Sequence, residues 1–532
     1  MTVPDVDRVL RRFLAAAASD AALIEAIGAL APAPVEAWRQ TAAGMIRADR
    51  PRAALSLLDA ALQRFPRDVE LRYWRGNALR LNGLVEQAES VYREVLGEDP
   101  CHRDAALALA FLLREQGRIV AASAVVSAST RARAADAAES QANLGFLREC
   151  GAFAAAHELA QEARARFPDD AGIAALAGEF ALAVGAFDRA RDALRAALAR
   201  EPQRAPCWLR LAYCGRFERA DEPDVRRFED AWRDTARDAP TRACIGFALG
   251  KALDDLGDYA RAASVLREAN ALARATLPWD ADRWHRFVAQ RLAAPALPPR
   301  APVADFTPVF VVGLPRTGTT LVATRLARRF DVRDRGELNW IGAMHDHLAA
   351  HGQLHDARAI AAAAAVVEAQ MRRDDAPARF HLDKNPLNFR YLDLIAAMFP
   401  QARVIHCRRG ARDTALSLWM QYFAHDDMAF AYDFGTIAEF AAGYQRLMAH
   451  WRATLALPIL DLDYEALVAE PEDAVHRLGA FLGATPSAAS APTGAIATAS
   501  VWQARQPVYT SSIGRWRHYA PHLPELMQRF AE

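Results

Sequence analysis

At 532 residues the chain is too long for one ordinary hydrophobic core, so two or more domains are expected. Apolar residues make up 52% and charged residues 24%, the balance of a soluble globular protein. Lysine plus arginine equals aspartate plus glutamate at 65 each, a zero formal net charge that argues against bulk nucleic-acid binding but leaves room for a local basic pocket. The six cysteines (Cys101, Cys150, Cys207, Cys214, Cys244 and Cys407) form no C-x-x-C pair and no zinc spacing. They read as buried thiols of a reducing compartment, and a cytoplasmic location is expected. No apolar run reaches the ~18 residues that a membrane-spanning helix needs.

The chain starts with a basic pair and a short apolar run, "RVLRRFLAAAASDAAL" (Arg8 to Leu23), which predicts an amphipathic first helix rather than a signal peptide. Pro66, Pro100, Pro168 and Pro202 then stand 34, 68 and 34 residues apart, and the missing member of the series falls at Ala134. A 34-residue period with a terminal proline is the tetratricopeptide spacing. In that register Trp38 takes the fourth position, Gly76, Gly178 and Gly250 the eighth, and Ala54, Ala88, Ala190 and Ala262 the twentieth. Tyr92, Leu194 and Leu266 take the twenty-fourth, and Ala61, Ala197 and Ala269 the twenty-seventh. Small residues at the eighth and twentieth positions let two helices cross closely. Residues from about 35 to 277 therefore read as roughly six or seven stacked helix pairs. The unit around Ala134 is degenerate, and "GRFERADEPDVRRFEDAW" (Gly215 to Trp232) interrupts the sixth. A solenoid of this kind offers a concave groove to a peptide or protein partner, the acceptor of a reaction among them, or serves as a structural stack that buttresses the second domain.

"LAAPALPPRAPVADFTP" (Leu292 to Pro308) carries Pro295, Pro298, Pro299, Pro302 and Pro308, cannot continue a helix and reads as a stiff linker. Beyond it "PVFVVGL" is a continuous β-branched apolar run, the mark of a buried strand, followed by helical spacing in "TTLVATRLARRF". "ARVIHCRR" and "RDTALSLWMQYF" repeat the strand–helix order, and "LPILDLDYEALVAEPEDAVHRLGAFLG" repeats it again. This alternation predicts a parallel sheet. The expected fold is two-domain: an N-terminal all-α solenoid over 1–280, a Pro-rich linker over 281–307, and a C-terminal α/β P-loop-like domain with a central parallel sheet over 308–532.

Between the first strand and its helix lies "VVGLPRTGTT" (Val311 to Thr320). Gly313 and Gly318 have the spacing of a Walker loop, but Thr319 stands where the lysine belongs. A glycine-rich strand–loop–helix aims backbone N–H groups and a helix N-terminus into one space that favours phosphate. Thr317, Thr319 and Thr320 add hydroxyls, and Arg316 adds a forked cation suited to phosphate or sulfate. A Walker nucleotidase also needs a carboxylate at a strand end to help hold Mg²⁺. Asp461 and Asp463 keep that reading open, while the other candidate strand ends in Cys407 and two arginines.

The loop "PRTGTT" resembles the 5′-phosphosulfate loop of sulfotransferases, which use 3′-phosphoadenosine-5′-phosphosulfate (PAPS) as donor. "RGARDTALS" supplies Arg409 and, eight residues on, Ser417. In that family such a pair holds the donor's 3′-phosphate. "DRGELNW" places Glu337 where the protein-tyrosine branch keeps its catalytic base, and "HLDKNPLNF" places Lys384 where the family has a lysine that stabilises the leaving phosphate. "DYEALVAEPE" places Tyr464 at the branch's adenine-side tyrosine, and "TSSIGRWRHY" resembles the closing loop, with Ser500 and Arg515 as donor contacts by spacing. The chain departs from the protein-tyrosine branch at Gln421, where another basic residue is usual one turn after the serine. The resemblance covers about Pro308 to Tyr519, and chains joining tetratricopeptide repeats to such a domain form a recognisable group. It implies sulfuryl transfer to an acceptor hydroxyl with Glu337 and Lys384 catalytic and no metal required. Peptide tyrosine, a sugar, a lipid head group and a small phenol all stay open as acceptor, and so does the oligomeric state, a dimer included. Two other readings stand beside it: a P-loop kinase or nucleotidase, and an inactive tetratricopeptide scaffold. His347 and His351 are one helical turn apart with His345 and His355 nearby. They read as an exposed helix face rather than a zinc site, and His345 is a rival to Glu337 as base.

Overall fold

The computed structural model describes residues 27–132, 135–302, 305–373, 378–486 and 512–530. The expected first helix at 8–23, the proline-less repeat end at Ala134, and Ser500 lie outside these residues. Among the described residues no helix is long and apolar enough to cross a membrane. The chain divides into two compact units, one up to Ala155 and one from Ala156 onward.

The repeats form as helix pairs: Val35–Arg47 with Pro51–Arg64, Val69–Leu81 with Val85–Glu98, and Arg103–Glu115 with Ile119–Ala132, followed by the helices Ala137–Glu149 and Phe153–Arg166. They continue as Ala171–Val184 with Phe187–Arg200, Ala205–Ala212 with Pro223–Arg233, and Ala239–Asp255 with Tyr259–Thr276. The repeating prolines end a helix and are followed two residues later by the next N-cap. Asp68 accepts from Leu71 N at 2.9 Å and Asp170 from Ile173 N at 2.7 Å, each satisfying one of the first free N–H groups. The interruption expected at Gly215–Trp232 is only partial, because its second half forms the Pro223–Arg233 helix of the sixth pair.

The small eighth position faces the twenty-fourth. A Cβ on Gly76 would meet Tyr92 Cε1 at 2.5 Å, one on Gly178 Leu194 Cγ at 2.6 Å, and one on Gly250 Leu266 Cγ at 2.5 Å. Each glycine admits the large side chain of its partner helix, so the pattern is a lock between a missing Cβ and a bulky residue.

The sheet has five parallel strands: β1 (Thr307–Gly313), β2 (Val332–Asp334), β3 (Phe380–Asp383), β4 (Arg403–Arg408) and β5 (Ile459–Asp463). Their order is β2-β3-β1-β4-β5, with Phe310 level with Asp383 on one side and Gly313 level with Cys407 on the other. Alternate residues of β1 feed two cores. Val309 and Val311 pack with Val322, Leu326, Ile405 and Leu478. Phe310 and Val312 join a larger core that runs without a break to Leu211, Phe247 and Leu266 of the repeats. Both faces are covered, which is why the strand reads as an unbroken apolar run.

The segment expected as linker begins later than 281, because Ala281–Ala293 is a helix. Trp284 on it stacks on Phe440 at 4.4 Å and lies where a Cβ on Gly443 would be, 2.5 Å from its Nε1. The Pro-rich stretch after it is strapped down: Arg300 N donates to Ala397 O at 2.9 Å and its side chain pairs with Glu368 at 2.9 Å.

Replacing Gly178 with valine forces a branched side chain against Leu194. Urea unfolding is expected to show a loss of about 1–3 kcal/mol. Unchanged stability would mean the glycine–leucine lock carries no packing energy.

Candidate functional site

Because all strands run the same way, their C-terminal ends share one edge, the usual place for a ligand in such sheets. The loop after β1 is there, Lys384 follows β3, Arg409 follows β4 and Tyr464 follows β5. The loop is bent by positive φ at Arg316 (74°) and Gly318 (91°). Gly318 also sits where a Cβ would lie 2.5 Å from Tyr464 Cδ2, so both its conformation and its neighbour require glycine. Arg316 has a side chain in that same region, a strain that persists where the surroundings impose it. Gly313 permits β4 to approach, since a Cβ there would collide with the Cys407 carbonyl oxygen. Thr317 is buried and its hydroxyl donates to Leu314 O at 2.7 Å, closing the loop on itself. Thr319 is also buried, and with Thr320 it opens the Thr319–Arg329 helix.

Arg316, Arg409, Ser417 and Tyr464 come together. Arg316 Nε donates to Ser417 Oγ at 3.1 Å. Arg409 Nη1 donates to the Arg316 carbonyl at 3.1 Å, and its guanidinium lies 4.7 Å from the centre of the Tyr464 ring. Its Nη2 donates to the Ser512 carbonyl at 2.6 Å, and the Tyr464 hydroxyl shares a 2.6 Å hydrogen bond with Ser512 Oγ. Among the described residues Arg409 Nε is buried with no hydrogen-bond partner. A buried cationic donor left without an acceptor is costly, and an anion is what would complete it. Ser512 was not singled out in the sequence, although it lies within the stretch "TSSIG" that carried the signal. Arg515, four residues from the end of the same turn, is ion-paired with Asp254. Gln421, the departure noted above, donates its side-chain amide to the hydroxyl of Tyr213 on the sixth helix pair, which burial pushes up to about 12.

Glu337 and Lys384 form a second cluster. Lys384 Nζ donates to Glu337 Oε1 at 2.6 Å. The lysine is 2% exposed, while the glutamate is open to solvent. Lys384 N donates to Gly336 O at 2.8 Å, so the backbone after β3 is laced to the loop after β2. Asp383 completes that lacing and is a residue the sequence did not single out. Its carboxyl accepts from Leu338 N at 3.1 Å, Asn385 N at 3.1 Å and Asn388 Nδ2 at 2.8 Å.

The carboxylates considered for Mg²⁺ are consumed by cations. Asp461 accepts from His406 at 2.7 Å and from Arg452, and Asp463 pairs with Arg408 at 2.9 Å. Glu465 accepts from Gly410 N at 2.9 Å. His345 is buried against Tyr391 and lies 3.3 Å from Arg291 Nη1, whereas His347, His351 and His355 are exposed. The strand-end edge thus presents arginine, lysine, hydroxyls and amides, a set that suits a polyanion bound by side chains.

Residues 308–487 match the model of the sulfotransferase family, and 46–102, 79–144 and 247–276 match models of the tetratricopeptide repeat. An uncharacterized protein of Aquifex aeolicus (strain VF5) is 29% identical over 406 residues, covering 71% of this chain and 52% of its own length. The chain therefore spans about half of that relative. Among solved structures, the sulfotransferase domain from the Synechococcus PCC 7002 olefin synthase is 18% identical, covering 42% of this chain and 91% of its own, with a TM-score of 0.29. MamA from Desulfovibrio magneticus RS-1 is 21% identical, covering 32% and 96%, with a TM-score of 0.24.

Burial pushes the Asp383 carboxyl up to about 7, against the three donors that favour its charge. A carboxyl raised in the folded state binds more protons there than in the unfolded chain. Its contribution is therefore fully present below an unfolded value of about 3.9 and is lost as pH rises through about 7. The stability of the native chain relative to Asp383→Asn is expected to fall between pH 4 and pH 8 in denaturant titrations. Parallel pH profiles for the two proteins would show that Asp383 is already ionised at low pH.

Proposed function

Starting from a chain that joins tetratricopeptide repeats to a sulfotransferase-family domain, we propose that it transfers a sulfuryl group from 3′-phosphoadenosine-5′-phosphosulfate to an acceptor hydroxyl. The observation that carries the donor is Arg409, with two nitrogens tied to the Arg316 and Ser512 carbonyls and the third buried and without a partner among the described residues. An arginine fixed in this way is pre-organised for an anion and pays little entropy to bind one. In this reading Arg409 and Ser417 take the 3′-phosphate, and Tyr464 packs on the adenosine side. Arg316, Thr317, Gly318, Thr319 and Thr320 surround the 5′-phosphosulfate. A 3′-phosphate site is also what separates this donor from ATP.

The Glu337–Lys384 pair divides the chemistry. Glu337 accepts the proton of the acceptor hydroxyl as the new O–S bond forms. Lys384 Nζ donates to the bridging oxygen, which keeps the electron pair of the breaking S–O bond and leaves with adenosine 3′,5′-bisphosphate. The two side chains neutralise each other at rest, so the lysine must turn from the carboxylate toward the bridging oxygen for the base to act. Burial of the lysine keeps water from competing for that hydrogen bond. The repeats offer a protein or peptide surface near this reaction, and a peptide hydroxyl is one acceptor class they suit.

Calorimetry with adenosine 3′,5′-bisphosphate, beside ATP with Mg²⁺, tests the donor. Binding of the bisphosphate that is abolished in Arg409→Ala is expected. Preference for ATP would move the reaction to phosphoryl transfer. Glu337→Gln is expected to lower turnover by about 10²–10⁴-fold while bisphosphate affinity stays near the native value. Native turnover in that variant would remove Glu337 as the base.

A further inference from the structure

The turn Ser512–Tyr519 is gripped from two sides. On the sheet side Arg409 and Tyr464 hold Ser512, and Asp413 accepts from Gly514 N at 2.6 Å and Trp516 N at 3.1 Å. On the other side the partners come from the last helix pair of the repeats. Asp254, on the Ala239–Asp255 helix, accepts from the Tyr519 hydroxyl at 2.7 Å and ion-pairs with Arg515. Tyr259 stacks on His518 at 4.7 Å and meets Tyr519 edge-on at 5.2 Å. Just beyond the turn, Arg267 donates to the His522 carbonyl at 2.9 Å and pairs with Glu525 at 2.8 Å.

Asp254 is out of character for its place. It is 8% exposed in a helix whose other buried positions, Thr241 aside, are apolar. A buried carboxylate is tolerated only when it is paired and hydrogen-bonded. Its neighbour Asp255 answers Lys251 at 2.6 Å within the repeats, but both side-chain partners of Asp254 lie in the turn. The charge on this repeat is therefore compensated by the turn, and the turn's position is fixed by the charge.

We propose that Asp254 is a positioning residue for the donor site: through Arg515 and Tyr519 it fixes the Ser512–Tyr519 turn, and through Ser512 that turn fixes Arg409 and Tyr464. This rests on the reading of Arg409 and Tyr464 as donor-binding residues. The last tetratricopeptide pair is then a wall of the nucleotide site, not a detached adaptor. A partner that displaces this pair changes donor affinity by the same route. Arg515 acts from within the turn, held by the repeat.

The test uses the full chain with Asp254→Asn, which keeps an oxygen for Tyr519 and removes the charge that Arg515 answers. Adenosine 3′,5′-bisphosphate binding by calorimetry, steady-state constants and amide hydrogen exchange over residues 514–519 are read together. Expected are a Kd and a donor KM raised about tenfold, faster exchange in the turn, and unchanged kcat at saturating donor and acceptor KM. Arg515→Gln added to Asp254→Asn is expected to cost little more, because the two act through one contact. Should Asp254→Asn not fold, Tyr519→Phe removes only the hydroxyl that Asp254 accepts and is expected to shift the same quantities in the same direction. Native Kd and native exchange in a variant would overturn the positioning role while leaving the donor reading intact. Equal losses in kcat and acceptor KM would also overturn it, as the mark of general damage. If the native chain binds no bisphosphate, the donor reading fails, and the assignment of this turn to a donor site fails with it.

Discussion

β1 is paired in parallel on both sides, and parallel pairing allows its neighbours only one direction. Every strand therefore delivers its C-terminal end to the same edge. Residues far apart in sequence, from Gly313 to Tyr464, are gathered there without any contact between them being needed first. The pairing depends on a close approach: β4 lies level with Gly313, and the Cys407 carbonyl occupies space that any Cβ at 313 would claim. That approach brings Arg409 to the Arg316 carbonyl, and the cluster of Arg316, Arg409, Ser417 and Tyr464 follows from it.

Charge at this edge is distributed unevenly. On the β5 side the carboxylates are spent on Arg408, Arg452 and His406. Arg409 rests against the Tyr464 ring and donates to two carbonyls, and among the described residues one buried N–H is left over. On the β3 side Lys384 is buried and makes its direct ion pair with a solvent-open carboxylate, Glu337. Buried cations with too few anions in reach are stable only if an anion arrives or if neighbouring groups bear the cost. Asp383 ties the loops carrying Glu337 and Lys384 to each other.

The later repeats do more than precede this domain. Their apolar core is continuous with one face of the sheet, and Asn270 donates to the Trp419 carbonyl at 3.0 Å while the Tyr213 hydroxyl accepts from Gln421. Trp279 reaches Glu439 at 3.1 Å, and Trp284 fills the space left by Gly443. Side chains of the solenoid thus complete the helices that follow the β4 loop. Gln421 shows the consequence: its side-chain amide is spent on a tyrosine of the repeats.

The sequence by itself determined whatever depends on local spacing. The proline period and the small eighth positions specify helix pairs because a helix crossing repeats the same steric demand in every unit. The run "PVFVVG" specifies a buried strand because both its faces are apolar, and the glycines of the next loop specify a phosphate-type turn because only glycine fits at Gly318. Legibility failed where the structure relies on distant partners. β2 is three residues long and β3 has the sequence "FHLD", too short and too polar to stand out; β3 is a strand because β1 supplies its ladder, and β2 because β3 supplies its own. Asp383, Ser512 and Asp254 look like ordinary polar residues in sequence. Their importance comes from groups 45, 103 and 265 positions away. A hydrogen bond across such a separation leaves no periodic trace, because its two ends meet only after the sheet and the last repeat have packed together. Tertiary structure alone decided those contacts, and with them which of the candidate side chains are held in one place.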